Sequence, residues 1–147
     1  MNEKPPRPNI VLLYCPRTLA PGAEKSLSSL SDRTPGANVR SAIIACGSVI
    51  QVPHLLKILE DGADAVQVVT CAKDDCQSLT GSARAEKRVE YTRWLLEGFG
   101  LGADRLGFHR ARGLGGSDLA NLCRHLARAI EPLGPHPMTL AKKELRA

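Results

Sequence analysis

The sequence has few aromatic residues, no long apolar run and no C-x2-C pair of cysteines. Phe, Trp and Tyr together make up 3% of the 147 residues. No stretch approaches the roughly 20 apolar residues that span a bilayer, and residues 1–8 lack the apolar region of a signal peptide. We therefore expect a cytoplasmic protein that is not inserted directly into a membrane.

The basic charge of the chain is modest and lacks the features of a nucleic-acid-binding protein. The formal net charge is +5 at pH 7, without the stacking aromatic residues, helix-turn-helix or finger pattern of such proteins. We expect no nucleic-acid partner and place the charges, including Arg105, on solvated faces that suit an acidic protein partner. For Arg84, Lys87 and Arg88 two interpretations are open: a solvated helix face, or a basic rim that steers a partner.

Short apolar runs alternate with stretches of helical periodicity along the chain. This alternation predicts a three-layer α/β fold with a mostly parallel sheet of about four strands. An extended tail is predicted at 1–8, the α/β domain at 9–132, and a C-terminal tail or partner-binding arm at 133–147. The predicted strands are 9–14, 39–45, 65–70 and 105–111, and the predicted helices are 23–30, 53–61, 83–97 and 118–131, with Ser82 and Ser117 as caps of the last two.

Cysteines lie where three of the predicted strands end. Cys15, Cys46 and Cys71 each come directly after an apolar run, and Cys76 follows Cys71 across a short charged loop. Sites in parallel α/β sheets lie at the carboxyl ends of the strands. If these strands are neighbours, their spacing of roughly 5 Å brings the three sulfurs within reach of one small cofactor. The charged loop can return Cys76 as the fourth.

Four converging thiolates suit zinc or an iron–sulfur cluster. Zinc sites usually use C-x2-C pairs, whereas the C-x4-C spacing of Cys71 and Cys76 occurs in plant-type [2Fe–2S] proteins. The alternative is that the cysteines are small buried hydrophobes. It is favoured for Cys123, on the apolar face of the last predicted helix, and disfavoured for the polar Cys71–Cys76 loop; Cys15 and Cys46 are intermediate. The four histidines lack ligand spacing and are expected on the surface or on helix faces.

The stretch from Asp61 to Arg88 resembles the iron–sulfur delta subunit of methyl-viologen-reducing hydrogenase. It contains a G-A-D strand start at 62–64, the C-x4-C at 71–76 and the helix start GSARAEKR at 81–88. The similarity extends over residues 9–131. The resemblance implies a [2Fe–2S] subunit without a substrate of its own. Such a subunit relays single electrons between a flavin subunit of heterodisulfide-reductase type and a hydrogenase, dehydrogenase or benzoyl-CoA-reductase-type module in an anaerobic complex.

Two features depart from that family pattern. The family usually has C-x2-C after the first strand, where this chain has Thr18, and an aromatic-rich segment is replaced by residues 108–112. Four of the five cysteines of the family pattern remain, which is the full complement for one [2Fe–2S] cluster. The open alternatives are a structural adapter that has lost its cluster and a four-cysteine zinc domain. The candidate ligands are Cys15, Cys46, Cys71 and Cys76.

Overall fold

The computed structural model describes residues 7–146 and shows a four-stranded sheet between two layers of helices. All neighbouring strands are parallel, in the order β2-β1-β3-β4. The predicted fold class is therefore confirmed, with the more polar fourth strand at an edge. Of the predicted N-terminal tail, residues 1–6 lie outside the described residues. The strands are β1 (Asn9–Tyr14), β2 (Asn38–Ile43), β3 (Ala65–Cys71) and β4 (Leu106–Ala111).

The helices cover both faces of the sheet. Successive strand residues point to opposite faces, so each strand contributes to two cores. On one face Leu13 and Val68 pack with α2 and α3, and on the other Leu12 and Ala65 lie in the cores beneath α4. The continuously buried β3 is central to both layers. Within residues 7–146 the α-helices are α1 (Leu30–Arg33), α2 (Val52–Glu60), α3 (Gly81–Gly98), α4 (Gly116–Ile130) and α5 (Pro137–Arg146).

Several boundaries differ from the prediction because side chains bond locally or to other elements. The helix predicted at 23–30 is a 3-10 helix over Ala23–Ser29, in which the Ser29 hydroxyl donates to the carbonyl of Ser26 at 3.1 Å. Ser82 lies inside α3 rather than capping it, and its hydroxyl is 2.9 Å from that of Thr70. At the start of α4 the capping group is not Ser117 but a carboxylate: Asp118 accepts the N–H of Gly115 at 2.8 Å.

A buried polar cluster holds the C-terminal segment at the amino end of the sheet. The Asp64 carboxylate accepts the backbone N–H groups of Asn9 and His136, both at 2.8 Å. The Arg105 guanidinium donates to the carbonyls of Asp64 at 3.0 Å and Gly134 at 3.1 Å. The predictions that Arg105 is solvated and that His136 lies on the surface or on a helix face are wrong, because both are buried and His136 precedes the last helix. The segment predicted as a tail at 133–147 contains α5, and its role as a partner-binding arm stays a prediction.

We expect the stability of the protein to fall as the pH drops below about 6.5, the ordinary pKa of histidine. Burial and the charge of Arg105 lower the pKa of His136, against an opposing effect of Asp64. The unfolded chain therefore takes up a proton at a pH where the folded chain stays neutral, so acid favours unfolding. His136→Asn keeps an acceptor for the N–H of Met138 and should flatten the dependence of Tm on pH between about 7.5 and 5. Identical slopes for both proteins would contradict this assignment.

Candidate metal centre

Three adjacent strands deliver cysteines to the carboxyl edge of the sheet. The three strands are neighbours, as the prediction required, with β1 between β2 and β3. Cys15 follows β1 directly, and its N–H donates to the carbonyl of Val69 at 3.0 Å. Cys71 is the last residue of β3 rather than the first after it, and Cys46 lies three residues beyond the end of β2. The three strand ends thus place their cysteines side by side.

The four candidate cysteines meet in one cluster. Cys15, Cys71 and Cys76 are buried together, and the partly buried Cys46 packs against them. Cys123 lies apart from them, in the apolar core beneath α4. Among residues 7–146, no three His, Cys, Asp or Glu side chains are arranged to hold a metal ion as they stand. The thiols instead pack against one another.

Hydroxyl and backbone N–H groups surround the thiols of Cys46 and Cys76. The Ser78 Oγ lies 3.3 Å from the Sγ of Cys46 and 3.5 Å from that of Cys76. Burial opposes ionisation of Cys76, but hydrogen bonds from Ser78 and the backbone of Ser82 outweigh it and lower the pKa of Cys76 to about 6. At Cys46, burial is outweighed by hydrogen bonds from the side chain and backbone of Ser48, so its pKa is also lowered. Both environments favour the thiolate, which is the form that binds metals.

Cys71 lies in the opposite environment. Burial, followed by the charge of a Cys15 thiolate, raises the pKa of Cys71 to about 12. Four thiolates so close together repel one another, and a bound cation removes that repulsion. Metal binding to such a site releases protons, since the ligand thiols bind in their deprotonated form. The donor set is therefore chemically suited to a metal or a cluster.

The same four-residue turn follows Cys46 and Cys76. The sequences are Cys-Gly-Ser-Val at 46–49 and Cys-Gln-Ser-Leu at 76–79. In each turn the N–H of the fourth residue donates to the carbonyl of the cysteine at 3.1 Å, and the serine lowers the pKa of the thiol of its own cysteine. The sequence interpretation missed both Ser48 and Ser78. The signal that could have found them is the repeated spacing Cys-x-Ser followed by an aliphatic residue.

The first residue of α3 approaches the thiols closely because it is glycine. An added Cβ at Gly81 would lie 2.5 Å from the Sγ of Cys46 and 2.5 Å from the Oγ of Ser78. Contacts this short do not occur for real Cβ atoms, so a larger residue would displace the thiol or the hydroxyl. The N–H of Gly81 also donates to the Ser78 hydroxyl at 2.9 Å. The start of α3 therefore positions Ser78 between the two thiols.

The basic residues at the start of α3 have different surroundings. Arg88 is partly buried and donates to the carbonyls of Ser48 and Ile50, both at 2.7 Å. It thereby fixes the turn that follows Cys46. Arg84 and Lys87 are exposed. The two interpretations of this basic segment therefore apply to different residues: Arg88 has a structural role, and the other two face solvent.

The loops after β1 and β4 hold the segment between Cys71 and Cys76. The carboxylate of Asp75 pairs with Arg112 at 3.0 Å, and its carbonyl accepts a hydrogen bond from Arg17 at 3.4 Å. Arg17 belongs to the loop after β1, where Thr18 is buried and donates its hydroxyl to the carbonyl of Cys15 at 2.7 Å. The loop after β1 thus contributes one thiol to the site, and Thr18 is engaged with the backbone.

The fold and the site together define a class of protein: a small parallel α/β domain whose carboxyl edge carries four converging thiols. Among the described residues no helix is long and apolar enough to cross a bilayer. The chain belongs to the methyl-viologen-reducing hydrogenase delta subunit family, whose model matches residues 10–134. The resemblance noted in the sequence is thereby confirmed.

Relatives of similar length are named as hydrogenase iron–sulfur subunits. The vhu iron–sulfur subunit of the F420-non-reducing hydrogenase from Methanocaldococcus jannaschii is 28% identical over 129 residues, which cover 88% of this chain and 96% of the relative. The iron–sulfur subunit of the F420-non-reducing hydrogenase from Archaeoglobus profundus is 26% identical over 128 residues, which cover 87% and 92%. These chains match the present domain along nearly their whole length.

A longer relative contains the same domain as one part of its chain. This relative, from Methanosarcina mazei, is named as one of the subunits of a ferredoxin:CoB-CoM heterodisulfide reductase and is 28% identical over 98 residues. The match covers 67% of this chain but 12% of that protein. Similar domains therefore occur both as small separate chains and within a large subunit.

Proposed function

We propose that this protein is an electron-transfer subunit that relays single electrons through a [2Fe–2S] cluster. The observation that carries the proposal is the convergence of four thiols at the carboxyl edge of three adjacent strands. Four cysteine thiolates are the ligand set of such clusters. The ligands in this proposal are Cys15, Cys46, Cys71 and Cys76.

The surrounding residues fit a cluster by their chemistry. Ser48 and Ser78 place hydroxyl groups at the thiols of Cys46 and Cys76, and hydrogen bonds to ligand sulfur tune reduction potentials. Gly81 has no side chain to occupy the space beside Cys46. The bound cluster would supply the one-electron redox centre. The protein would hold it, shield it and set its potential, without chemistry on a substrate.

The named relatives support a place in a multisubunit oxidoreductase complex. Some are hydrogenase iron–sulfur subunits and one is a heterodisulfide reductase subunit. In our proposal the redox partners are a flavin and iron–sulfur subunit of heterodisulfide-reductase type and a hydrogenase, dehydrogenase or benzoyl-CoA-reductase-type module. The complex would be cytoplasmic and anaerobic. The occurrence of the domain inside a large reductase subunit supports direct contact with a protein of that kind.

Metal and spectroscopic analysis of the anaerobically purified protein tests this function. About two irons and two acid-labile sulfides per chain, with the EPR signal of one cluster after reduction, are the expected result. A colourless, iron-free protein, even when isolated with its partners, would overturn the proposal. If the purified protein contains zinc instead of iron, the metal content of protein expressed in the native host decides the case. Zinc there too would be the resident metal, and iron there would show that the zinc was acquired in the other host.

A second candidate function is that of a structural adapter without a cluster. The observation that favours it is Thr18, at the position where the family usually has a cysteine, with its hydroxyl bonded to the carbonyl of Cys15. The four remaining thiols argue against it, because an adapter has no need to keep them together. Iron-free protein that still assembles with its partners would be the result that supports the adapter.

Replacing Ser78 with Ala is expected to lower the reduction potential of the loaded protein. Hydrogen-bond donors at ligand sulfurs stabilise the reduced, more negative state, and Ser78 lies beside two of those sulfurs. If the lost hydrogen bond stabilises the reduced state by ~1 kcal/mol more than the oxidised state, the potential of this one-electron couple shifts by about 40 mV. A redox titration followed by EPR measures the shift. The exposed Ser117, at the start of α4, provides the control: Ser117→Ala should leave the potential unchanged. An unchanged potential in Ser78→Ala would contradict the prediction.

A further inference from the structure

We propose that the exposed apolar residues around Cys46 and Cys76 form the surface on which an acidic redox subunit docks. We call this surface the apolar rim. It consists of Val49 and Leu79, the last residues of the two cysteine turns. Their exposed fractions are 46% and 79%, respectively. The inference rests on the proposed function and adds to it the place where the electron-transfer partner binds.

The apolar rim adjoins Cys76 and also Cys46, whose thiol is the most exposed of the four. Cys46 is partly exposed, whereas the other three thiols of the site are buried. Val49 and Leu79 donate their N–H groups to the carbonyls of Cys46 and Cys76, both at 3.1 Å. The rate of electron transfer falls steeply with the distance between two redox centres. A partner must therefore approach where the site is closest to solvent, which is at the apolar rim.

The backbone of Leu79 has a conformation that leucine rarely adopts. Its φ is +61°, and no other non-glycine residue within 7–146 has a positive φ. This left-handed conformation costs roughly 1–2 kcal/mol, and strained residues of this kind cluster at functional sites. Since the side chain is exposed, packing within this chain does not offset the cost. Burial of Leu79 against a partner would offset it.

The charges near the apolar rim indicate an acidic partner. Arg84 is exposed in the first turn of α3, five positions after Leu79. Arg17 and Arg112 are exposed on the loops that hold the segment between Cys71 and Cys76. These three arginines outnumber the two acidic residues of that segment, Asp74 and Asp75. Complementary charge directs association and fixes orientation. The fitting partner therefore has an apolar centre surrounded by carboxylates.

A second exposed apolar patch supplies a matched control. Tyr91 and Trp94 stack with ring centroids 5.8 Å apart, and Phe99 is exposed just beyond the end of α3. Trp94 lies 13 positions after Gly81, which is about 20 Å along a helix. A partner seated only on this patch would be far from the thiols. A substitution in this second patch should therefore not affect docking at the apolar rim.

The test uses tagged variants of the full chain, expressed in the native host and purified anaerobically. The probe is the set of flavin- or iron–sulfur-containing subunits that co-purify with the wild-type chain. Leu79→Gly removes the side chain and suits the positive φ, so the variant should fold normally. Its apparent Kd for these subunits should be about tenfold higher than that of the wild type, or more. Val49→Asp should act in the same direction. Trp94→Asp should retain the subunits as the wild type does.

Several results would overturn the docking surface. One is full retention of the redox subunits by Leu79→Gly and Val49→Asp. Another is that Trp94→Asp weakens their binding as much as those two variants do. The third is the absence of any redox subunit from the wild-type preparation. Iron content and EPR of each variant show separately that the site is intact. A wild-type chain without iron would overturn the proposed function through that second measurement. Failure of the docking surface and failure of the cluster are therefore distinguishable.

Discussion

Cys76→Ser is expected to bleach the protein and to release its iron. Cys76 is the thiol that the loop after β3 returns to the site, and its surroundings lower its pKa to about 6. A serine hydroxyl has nearly the same size but remains protonated at neutral pH, so it is a poor replacement for a thiolate ligand. The visible spectrum, the EPR signal after reduction and the iron content should all fall to near background.

A matched cysteine variant separates ligand loss from a general effect on folding. Cys123 is fully buried in the core beneath α4, and burial raises its pKa to about 12. Cys123→Ala should therefore cost some stability, on the scale of about 1 kcal/mol expected for a typical substitution, while leaving iron and spectrum intact. If Cys76→Ser keeps the full spectrum, Cys76 is not a ligand. If both variants lose iron equally, the loss reports on folding rather than on ligation.

The fold and the convergence of the thiols could be predicted because they follow from local patterns. β1 and β3 are apolar runs of strand length, and each ends at a cysteine. A parallel sheet brings the carboxyl ends of its strands to one edge, so the positions of Cys15 and Cys71 follow from topology. The ligand role of these cysteines is still a prediction. What the structure adds is that β1 separates β2 from β3 and that all four thiols share one cluster.

The hydrogen bonds around the thiols could not be predicted in the same way. Ser78 acts between Cys46 and Cys76 because two turns and the start of α3 meet there, and these elements come from distant parts of the chain. In the sequence Gly81 is simply a residue before a helix, and only the packed structure shows that its missing side chain matters. The start of α3 differs from the prediction for the same reason, since Ser82 contacts Thr70 of β3 rather than capping the helix.

The buried charges at the amino end of the sheet were predicted wrongly. Arg105 belongs to a stretch with several basic residues, and its sequence neighbourhood resembles a solvated face. Its burial depends on Asp64, which lies 41 positions earlier, and on the segment after α4. A pattern of a few neighbouring residues contains no information about such contacts. The two ends of the sheet therefore differ: the carboxyl end carries the thiols, and the amino end carries a polar network that anchors the chain.

Arg105→Met is expected to destabilise the protein by about 3–5 kcal/mol, because its removal leaves several buried backbone carbonyls without a donor, at about 1–3 kcal/mol each. The side chain is 2% exposed, and burial lowers its pKa against the opposing charge of Asp64. Methionine fills part of the volume but leaves the carbonyls of Asp64, Leu101 and Gly134 without their donor. Buried acceptors without a partner are costly. Urea unfolding followed by circular dichroism measures the change in the free energy of unfolding.

The control is the exposed Arg128 on α4, where Arg128→Met should change the free energy of unfolding by less than about 0.5 kcal/mol. Arg105→Lys should fall between the two, because a lysine keeps the charge but cannot reproduce the fixed donor geometry of a guanidinium. The network and the thiols lie at opposite ends of the sheet, so Arg105→Met that remains folded should keep the reduction potential of the wild type. A stable Arg105→Met protein would show that the network is dispensable, and a shifted potential in folded protein would show that the two ends are coupled.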